Sequence, residues 1–190
     1  MQKIMFNDKL GLTRAVLEGR KTMTRRAIPN VETEGGLVPV SFWNGKWCGA
    51  HGKPLKRQPY GVGEVLAIAQ PYKDLFINPE KMNTHWFQEH KGWNNKMFVA
   101  ACNMPHHIRI TDVKVERLQD ISEEDCLKEG IECTNVYEVY GIESSYVFEE
   151  NPIAYDTPSE AFAALIDKVS GKGTWSSNPY VFAYSFELVD

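Results

Sequence analysis

The segment that most constrains the fold of this chain is residues 107–118, HIRITDVKVERL, in which apolar and polar residues alternate. Ile108 and Ile110 follow one phase of the alternation, and Val113 and Val115 follow the other. Because successive side chains of a strand point to opposite faces of its sheet, the change of phase predicts a β-bulge or a crossing between two sheets. We therefore expect a long strand that is interrupted near its middle.

The other regular segments are short, and strands do not alternate with long helices. Strands are predicted over residues 21–26, 64–69, 97–101 and 180–188, and helices over residues 7–18, 121–130 and 157–170. A doubly wound parallel sheet needs a helix after most strands, so this order argues against one. The order favours an α+β fold, namely a small mixed or antiparallel β-barrel with short helices at its rim.

Capping residues mark the ends of the predicted helices. A side chain that can accept a hydrogen bond precedes each helix and a glycine follows it: Asn7 or Asp8 with Gly19, Ser122 with Gly130, and Thr157 with Gly171. Such side chains satisfy free N–H groups of the first turn, and glycine readily adopts the left-handed conformation that ends a helix. These signals predict both boundaries of each helix.

Three long segments without a sustained period interrupt this order, at about residues 29–60, 70–95 and 134–156. The chain has 190 residues and is 43% hydrophobic, which fits one domain with a substantial core better than two domains. We expect a single domain over residues 1–190 with three insertions, which either cover a cleft or contact another protein. Four tryptophans in the insertions either anchor these loops or stack on nucleic-acid bases: Trp43, Trp47, Trp86 and Trp93.

The charge balance and the apolar runs exclude several kinds of partner. Lys and Arg total 21 against 25 Asp and Glu, a net charge of -4, so a broad basic face that coats duplex DNA is not expected. The first residues, MQKIMFNDKL, lack a signal-peptide pattern, and the apolar runs, such as residues 65–69, are far too short to span a bilayer. The four cysteines form no secreted-domain framework. A cytoplasmic protein without membrane contact is the expectation.

The sequence predicts neither a cofactor nor a metal ion. Two pairs, Cys48 with His51 and Cys102 with His106, would have to converge to form a tetrahedral zinc site. No CxxC pair supports such a site. Only the fold can show whether the two pairs meet.

Positive charge is concentrated in one stretch, EGRKTMTRR, at residues 18–26. Four basic side chains flank two threonines there: Arg20, Lys21, Thr22, Thr24, Arg25 and Arg26. Arginine binds phosphate through two parallel hydrogen bonds, which lysine alone cannot do. A solvated turn is the simplest alternative, but the stretch favours a pocket for an anionic, nucleotide-like ligand.

Four blocks of the sequence, in order, resemble the ASCH family of the PUA-like superfamily, especially its longer phage and prophage members: LEGRKTMTRR, YGVGEVLAI, ITDVKVERLQDISEEDCLKEGI and WSSNPYVFAYSFEL. The resemblance implies a small β-barrel whose cleft holds the GRKTxTxR segment, and recognition of RNA or a nucleotide. Phage-type members often carry an Arg-Glu pair after the second block, where this chain has Ala69 and Gln70. The chain departs from the family there, which puts the ligand and the chemistry in question.

One small bacterial branch of the ASCH family hydrolyses 4-acetylcytidine. By motif match, its lysine, threonine and glutamate correspond to Lys21, Thr24 and Glu129. The chemistry suits an amidase, because Thr24 can supply the hydroxyl and Lys21 can act as base if its pKa is lowered. Glu129 would hold the lysine or transfer a proton. In an ideal strand Lys21 and Thr24 point to opposite faces, so a bulge or a turn is needed to bring them together.

Three functions follow from these observations. The first is an RNA- or nucleotide-binding ASCH module with a basic cleft, in which Arg20, Thr22, Arg25 and Arg26 contact the ligand beside the three motif residues. The second is an amidohydrolase that deacylates an N-acylated pyrimidine nucleoside. The third is a phage or prophage accessory protein that acts through protein contacts of its insertions. The sequence does not predict an oligomeric state.

Overall fold

The computed structural model describes residues 1–28, 32–33, 36–37, 41–44, 46–49, 52–54, 60–75, 88–136, 142–149, 151 and 153–190. Parts of all three predicted insertions therefore lie outside the described residues, as do Trp86 and His51. Within the described part, none of the helices has the length and apolar character needed to cross a membrane.

The described strands form one central sheet and three small hairpins. They are β1 (Gln2–Ile4), β2 (Met23–Ala27), β3 (Glu32–Thr33), β4 (Gly36–Leu37), β5 (Ser41–Trp43), β6 (Lys46–Cys48), β7 (Val65–Ile68), β8 (His107–Arg117), β9 (Glu132–Val136), β10 (Ile142–Val147) and β11 (Tyr180–Leu188). The central sheet has the order β1-β7-β8-β11-β2. Its β1 and β7 are parallel and its other neighbours are antiparallel, so the chain has the expected mixed α+β architecture.

The described helices are α1 (Leu12–Leu17), α2 (Tyr72–Leu75), α3 (Glu123–Lys128), α4 (Pro158–Ser170) and α5 (Thr174–Ser177). Two of these five described helices, α3 and α4, begin at the capping residues that the sequence predicts. Ser122 accepts a hydrogen bond from the N–H of Asp125, and Thr157 accepts one from the N–H of Glu160. The predicted helix over residues 7–18 is divided, because Gly11 has φ 65° and separates a 3-10 turn (Asp8–Leu10) from α1.

The predicted interruption of the long strand is a bulge. Along the pairing of β8 with β11, Ser185 lies opposite Asp112, but the next residue, Phe186, lies opposite Ile110. Thr111 is the extra residue, at the position where the alternation of the sequence changes phase. The bulge lets both Ile110 and Val113 turn toward apolar neighbours of the same core.

The closed barrel is not confirmed, because the strands of the described part of the chain form an open sheet with β1 and β2 at its edges. No backbone ladder joins these two edges within the described residues. A side chain joins them instead, since a guanidinium nitrogen of Arg26 in β2 donates to the carbonyl of Met5, directly after β1, at 2.5 Å. The gap between the edges is therefore spanned by side chains, and it contains the cavity described below.

One local prediction was wrong, and one predicted insertion contains regular structure. Residues 97–101 do not form a strand, because 3-10 turns occupy Lys96–Phe98 and Ala101–Asn103 and the Asn95 side chain caps the first of them. The third insertion is not wholly irregular, since β9 and β10 pair as an antiparallel hairpin. In both places the sequence lacks a clear period, so short-range hydrogen bonds determine the local structure.

The main hydrophobic core lies between the sheet and helices α1, α3 and α4. Its most buried members come from all of these elements: Ile4, Val16, Leu66, Ile108, Cys126, Phe162 and Val181. The apolar spacing of α4 predicts that Phe162, Leu165, Ile166 and Val169 face inward; the first three are buried, whereas Val169 is 40% exposed. This packing holds α4 beside the sheet.

We expect Gly11→Ala to lower the free energy of unfolding by about 2–3 kcal/mol, because a positive φ and a steric clash act together. A Cβ at this position would lie 2.7 Å from the Cβ of Glu149, which cannot rotate away as a carboxylate end can. Gly19→Ala is the matched control, since Gly19 has φ 74° but nothing lies within 4 Å of the position that the new methyl group would take. Urea denaturation should show a loss of about 1 kcal/mol for the control. Equal losses for both variants would mean that the contact with Glu149 contributes nothing.

Candidate functional site

A turn, rather than a strand, brings the basic stretch to its partners. After α1, Gly19 has φ 74° and the N–H groups of both Arg20 and Lys21 donate to the carbonyl of Ala15. The N–H of Thr22 then donates to the carbonyl of Lys128 at the end of α3. β2 begins only at Met23, so Lys21 lies before the strand. The alternation of side chains along a strand, which would place Lys21 and Thr24 on opposite faces, therefore does not apply to Lys21.

Lys21 and Glu129 form a buried ion pair. The ammonium nitrogen lies 2.6 Å from Oε2 of Glu129 and 2.7 Å from the backbone carbonyl oxygen of the same residue. Lys21 is 2% exposed and Glu129 is 4% exposed. Two residues that are 108 positions apart in the chain therefore meet through two hydrogen bonds in the interior.

Arg25 extends this pair into a network. Its guanidinium is fully buried and lies between three carboxylates, with Nη1 at 3.1 Å from Glu129, Nη2 at 3.1 Å from Asp125 and Nε at 2.8 Å from Glu116. Glu129 thus has Lys21 on one carboxylate oxygen and Arg25 on the other. Every buried charge of this network has an opposite charge beside it, which is the condition for tolerating charges in an interior.

The network shifts the pKa values of its members. Burial lowers the pKa of Lys21, and the opposing attraction of Glu129 does not restore it to the ordinary value. Burial would also lower the pKa of Arg25, but Glu129 and Glu116 raise it. For Asp125, burial raises the pKa, while hydrogen bonds from Lys114 and Arg25 outweigh this effect and lower it.

The depressed pKa values of Asp125 and Lys21 both make stability rise with pH over the interval between the folded and the unfolded pKa. The folded pKa of Asp125 is below its unfolded value, so the stability it contributes is present above that unfolded value and is lost as the pH falls through the folded one. The folded pKa of Lys21 is also depressed, but the group is a base, so its unfolded form binds more protons between the two pKa values. Stability therefore rises with pH across that interval.

The Lys21 cavity lies beside this pair, and we use that name for the space of about 90 Å³ between β2, α4 and the segment after β1. Its polar lining includes Lys21, Thr24, Arg25, Arg26 and Glu129. Its apolar wall comes chiefly from α4: Phe162, Leu165, Ile166 and Val169. The volume is well below the roughly 300–1,000 Å³ of sites that enclose whole drug-sized ligands, so it suits one fragment of a ligand.

Arg26 presents an unused donor at this cavity. One of its terminal nitrogens donates to the carbonyl of Met5, but its Nε atom is buried without a hydrogen-bond partner. A buried N–H group without an acceptor costs stability, and such exceptions in folded proteins call for an explanation. An acceptor atom of a ligand in the cavity would satisfy this N–H group.

The structure separates the predicted site residues into two groups. Lys21, Thr24 and Glu129 line one cavity, together with Arg25 and Arg26. Arg20 and Thr22 do not line it. The Arg20 guanidinium pairs with Glu18 and Glu132 at the surface, and the backbone of Thr22 bonds to Lys128 and Phe186.

Sequence reasoning missed the other half of the site. Glu116 and Asp125 gave no signal as partners of Arg25, since β8 and α3 carry several exposed acids of the same kind. The apolar residues of α4 were predicted to be core residues only. Their spacing indicates a buried face, but it does not tell whether part of that face borders a cavity.

No metal site is found in the part of the chain that the structure describes. No group of three or more His, Cys, Asp and Glu side chains there is arranged to hold an ion. Cys48 is buried and Cys102 is exposed, and both are free thiols. His51 lies outside the described residues, so whether the two Cys/His pairs converge stays untested.

The comparisons with known proteins are sparse. No protein-family model matches the chain, and no curated protein is significantly similar to it. Among solved structures, the fold is similar to the crystal structure of the protein EF3133 from Enterococcus faecalis V583, assigned to the family model DUF984. The TM-score is 0.46 and the sequence identity is 16%, over 100% of this chain and 81% of that chain. Similarity at this level does not assign a family, so the resemblance to ASCH proteins stays a prediction.

Proposed function

We propose that the Lys21 cavity binds a small N-acylated pyrimidine nucleoside, of the 4-acetylcytidine class, and hydrolyses its amide bond. The observation that carries the proposal is a buried lysine, with a lowered pKa, that shares a small cavity with the hydroxyl of Thr24. Strongly perturbed groups in cavities are frequently catalytic, because an effective general base must lose its proton near the working pH.

Glu129 suits the role of the residue that holds the base. It offers Lys21 two acceptors, its carboxylate and its backbone carbonyl, at 2.6 and 2.7 Å. A neutral amine has two N–H bonds and one lone pair, so two acceptors on Glu129 occupy both N–H bonds. The lone pair of Lys21 is then available to take a proton from Thr24 or from water.

The reaction proceeds in two balanced steps. Thr24 Oγ forms a bond to the acyl carbon while its proton moves to Nζ of Lys21, and the carbon–nitrogen bond then breaks as N4 of the cytidine takes that proton. Water next attacks the threonine ester, giving one proton to Lys21, which returns it to Thr24 Oγ. The products are cytidine and acetic acid, and the enzyme is regenerated.

The two walls of the cavity fit the two parts of an acyl group. The unused Nε–H of Arg26 is a donor for the carbonyl oxygen, where negative charge develops during attack. The side chains of Leu165, Ile166 and Val169 provide an apolar surface for the methyl group. The small volume supports an acetyl group rather than a long acyl chain.

Binding of RNA or a nucleotide without turnover is the second candidate. Its support is the hairpin of β5 and β6, where Phe42 is 62% exposed and Trp43 is 63% exposed, since exposed rings of this kind stack on bases. The basic stretch supports it less, because Arg25 is paired internally with three carboxylates and Arg20 with surface acids. Few of the predicted guanidiniums are therefore available to phosphate.

A pair of threonine variants tests the proposal. We expect Thr24→Val to reduce the release of cytidine from 4-acetylcytidine by about 10²-fold or more, because the substitution removes the hydroxyl group and keeps the shape of the side chain. The release of cytidine is measured by chromatography. Thr22→Val is the matched control, as Thr22 lies two residues away and does not line the cavity. Equal rates for the two variants would reject Thr24 as the nucleophile.

An absence of cytidine release by the unaltered protein would favour the second candidate. RNA would then be titrated at two salt concentrations, and affinity that falls with salt would indicate phosphate contacts. Binding that is lost in a Trp43→Ala variant would assign the contact to the hairpin. A protein that neither hydrolyses 4-acetylcytidine nor binds RNA would leave the accessory role through protein contacts.

A further inference from the structure

A second cavity, of about 280 Å³, lies on the other side of α1. We call it the Gln70 cavity; its polar lining consists of Asp8, Thr13, Arg14, Gln70, Asp74 and Glu149. It shares no residue with the Lys21 cavity. The amide hydrolysis proposed above makes no use of it.

Gln70 is the least explained residue of this cavity. It is 8% exposed, and its side-chain oxygen is buried without a hydrogen-bond partner. Its backbone N–H donates to the sulfur of Met104 at 3.3 Å, which holds the main chain of Gln70 in place. A buried acceptor without a donor destabilises the fold, so a residue of this kind is expected where a ligand supplies the donor.

Glu149 repeats the pattern on the opposite wall. One of its carboxylate oxygens pairs with Arg14, while the other, Oε2, is buried without a hydrogen-bond partner. The guanidinium of Arg20 lies 3.7 Å from that oxygen, which is too long for a hydrogen bond. Two buried acceptors on different elements of the fold therefore lack donors at the same cavity.

The residues that line the cavity include more carboxylates than basic side chains. Asp8, Asp74 and Glu149 are carboxylates, whereas Arg14 is the single basic side chain among the described lining residues. Asp8 is already engaged by Thr13 and by Lys96, the latter at 2.7 Å. Burial raises the pKa of Asp74, and the attraction of Lys73 and Lys96 does not outweigh this effect.

We propose that the Gln70 cavity binds a small organic cation that carries N–H donors, such as an alkyl diammonium. Its N–H groups would donate to Gln70 and Glu149, and its two positive charges would lie near the carboxylates of Asp74 and Glu149. The residues do not suit a metal ion, since the described part of the chain contains no group of three or more ligating side chains arranged around one point. The volume fits a molecule of a few heavy atoms rather than a polymer.

Calorimetric titration of the full chain with putrescine tests the proposal, with tetramethylammonium as the control probe. Both probes are organic cations, but only putrescine has N–H donors. We expect putrescine to bind at least tenfold more tightly and to raise the Tm. Equal affinity for the two probes, or displacement of putrescine by an equal concentration of Mg²⁺, would overturn the proposal.

Variants assign the binding to the cavity. We expect Gln70→Met, which is similar in length and removes the unpartnered acceptor, to leave the Tm of the free protein unchanged or higher while putrescine affinity falls at least tenfold. Asp74→Asn is expected to lower the affinity for putrescine to the same extent. If Gln70→Met fails to fold, this second variant tests whether putrescine binds in the Gln70 cavity. Asp120→Asn, at an exposed position away from the cavity, is the matched control and should bind like the unaltered chain. Unchanged affinity in Asp74→Asn would refute the assignment.

Discussion

Glu129→Gln is expected to lower the free energy of unfolding by about 3–5 kcal/mol, because it leaves Lys21 without its counter-ion in the interior. Lys21 is 2% exposed, so water cannot replace the lost carboxylate. Arg25 loses one of its three acidic partners in the same change. Urea denaturation of the purified variants measures the effect directly.

The matched control is Glu132→Gln, which removes a carboxylate from an ion pair at the surface. Arg20 and Glu132 have side chains that are 31% and 40% exposed, and such pairs contribute about 0–1 kcal/mol. In addition, we expect the double variant Lys21→Met with Glu129→Gln to be more stable than Glu129→Gln alone, since no buried ammonium is left unpaired. Similar losses for Glu129→Gln and Glu132→Gln would contradict the stabilising role of the buried pair.

Lys21→Met is expected to reduce hydrolysis of 4-acetylcytidine by about 10²–10⁴-fold, the usual contribution of a general base. The fold should survive the change, because Glu129 keeps its contact with Arg25 at 3.1 Å. Lys128→Met is the matched control, since this lysine is close in space but 40% exposed and outside the cavity. Product formation at saturating substrate, measured for each variant, gives the ratio.

The pH dependence of the same reaction gives a second measurement on Lys21. The base must be neutral to accept a proton, so the rate of the unaltered protein should rise with pH as Lys21 is deprotonated. Because burial lowers its pKa, this rise should occur below the ordinary lysine value of 10.5. A rate that does not change with pH up to that value would mean that Lys21 is not the base.

Local features of the fold could be predicted from the sequence because they depend on neighbouring residues. The change of phase near Thr111 correctly predicted a bulge, and Ser122 and Thr157 were correctly predicted to be N-caps. Strand alternation and capping are both short-range effects. The strand predicted over residues 97–101 does not form, and this too is a short-range effect. There the Asn95 side chain caps a 3-10 turn, and this outweighs a weak preference for extended structure.

The site could be predicted only in part. Lys21, Thr24 and Glu129 were brought together by the resemblance to a motif, and the structure places all three at one cavity. Which arginine is internal could not be predicted, because Arg25 and Arg26 are adjacent and differ only in the face of β2 from which they project. The gap between β1 and β2 could not be predicted either. It depends on a long-range contact, in which the Arg26 side chain donates a hydrogen bond to the carbonyl of Met5.

The most direct test of the central claim is to incubate the unaltered protein with 4-acetylcytidine and to quantify cytidine and acetate together. We expect equal amounts of the two products, at a rate proportional to protein concentration, and almost none with Lys21→Met. No product with the unaltered protein, or the same rate with Lys21→Met, would contradict the proposed hydrolysis.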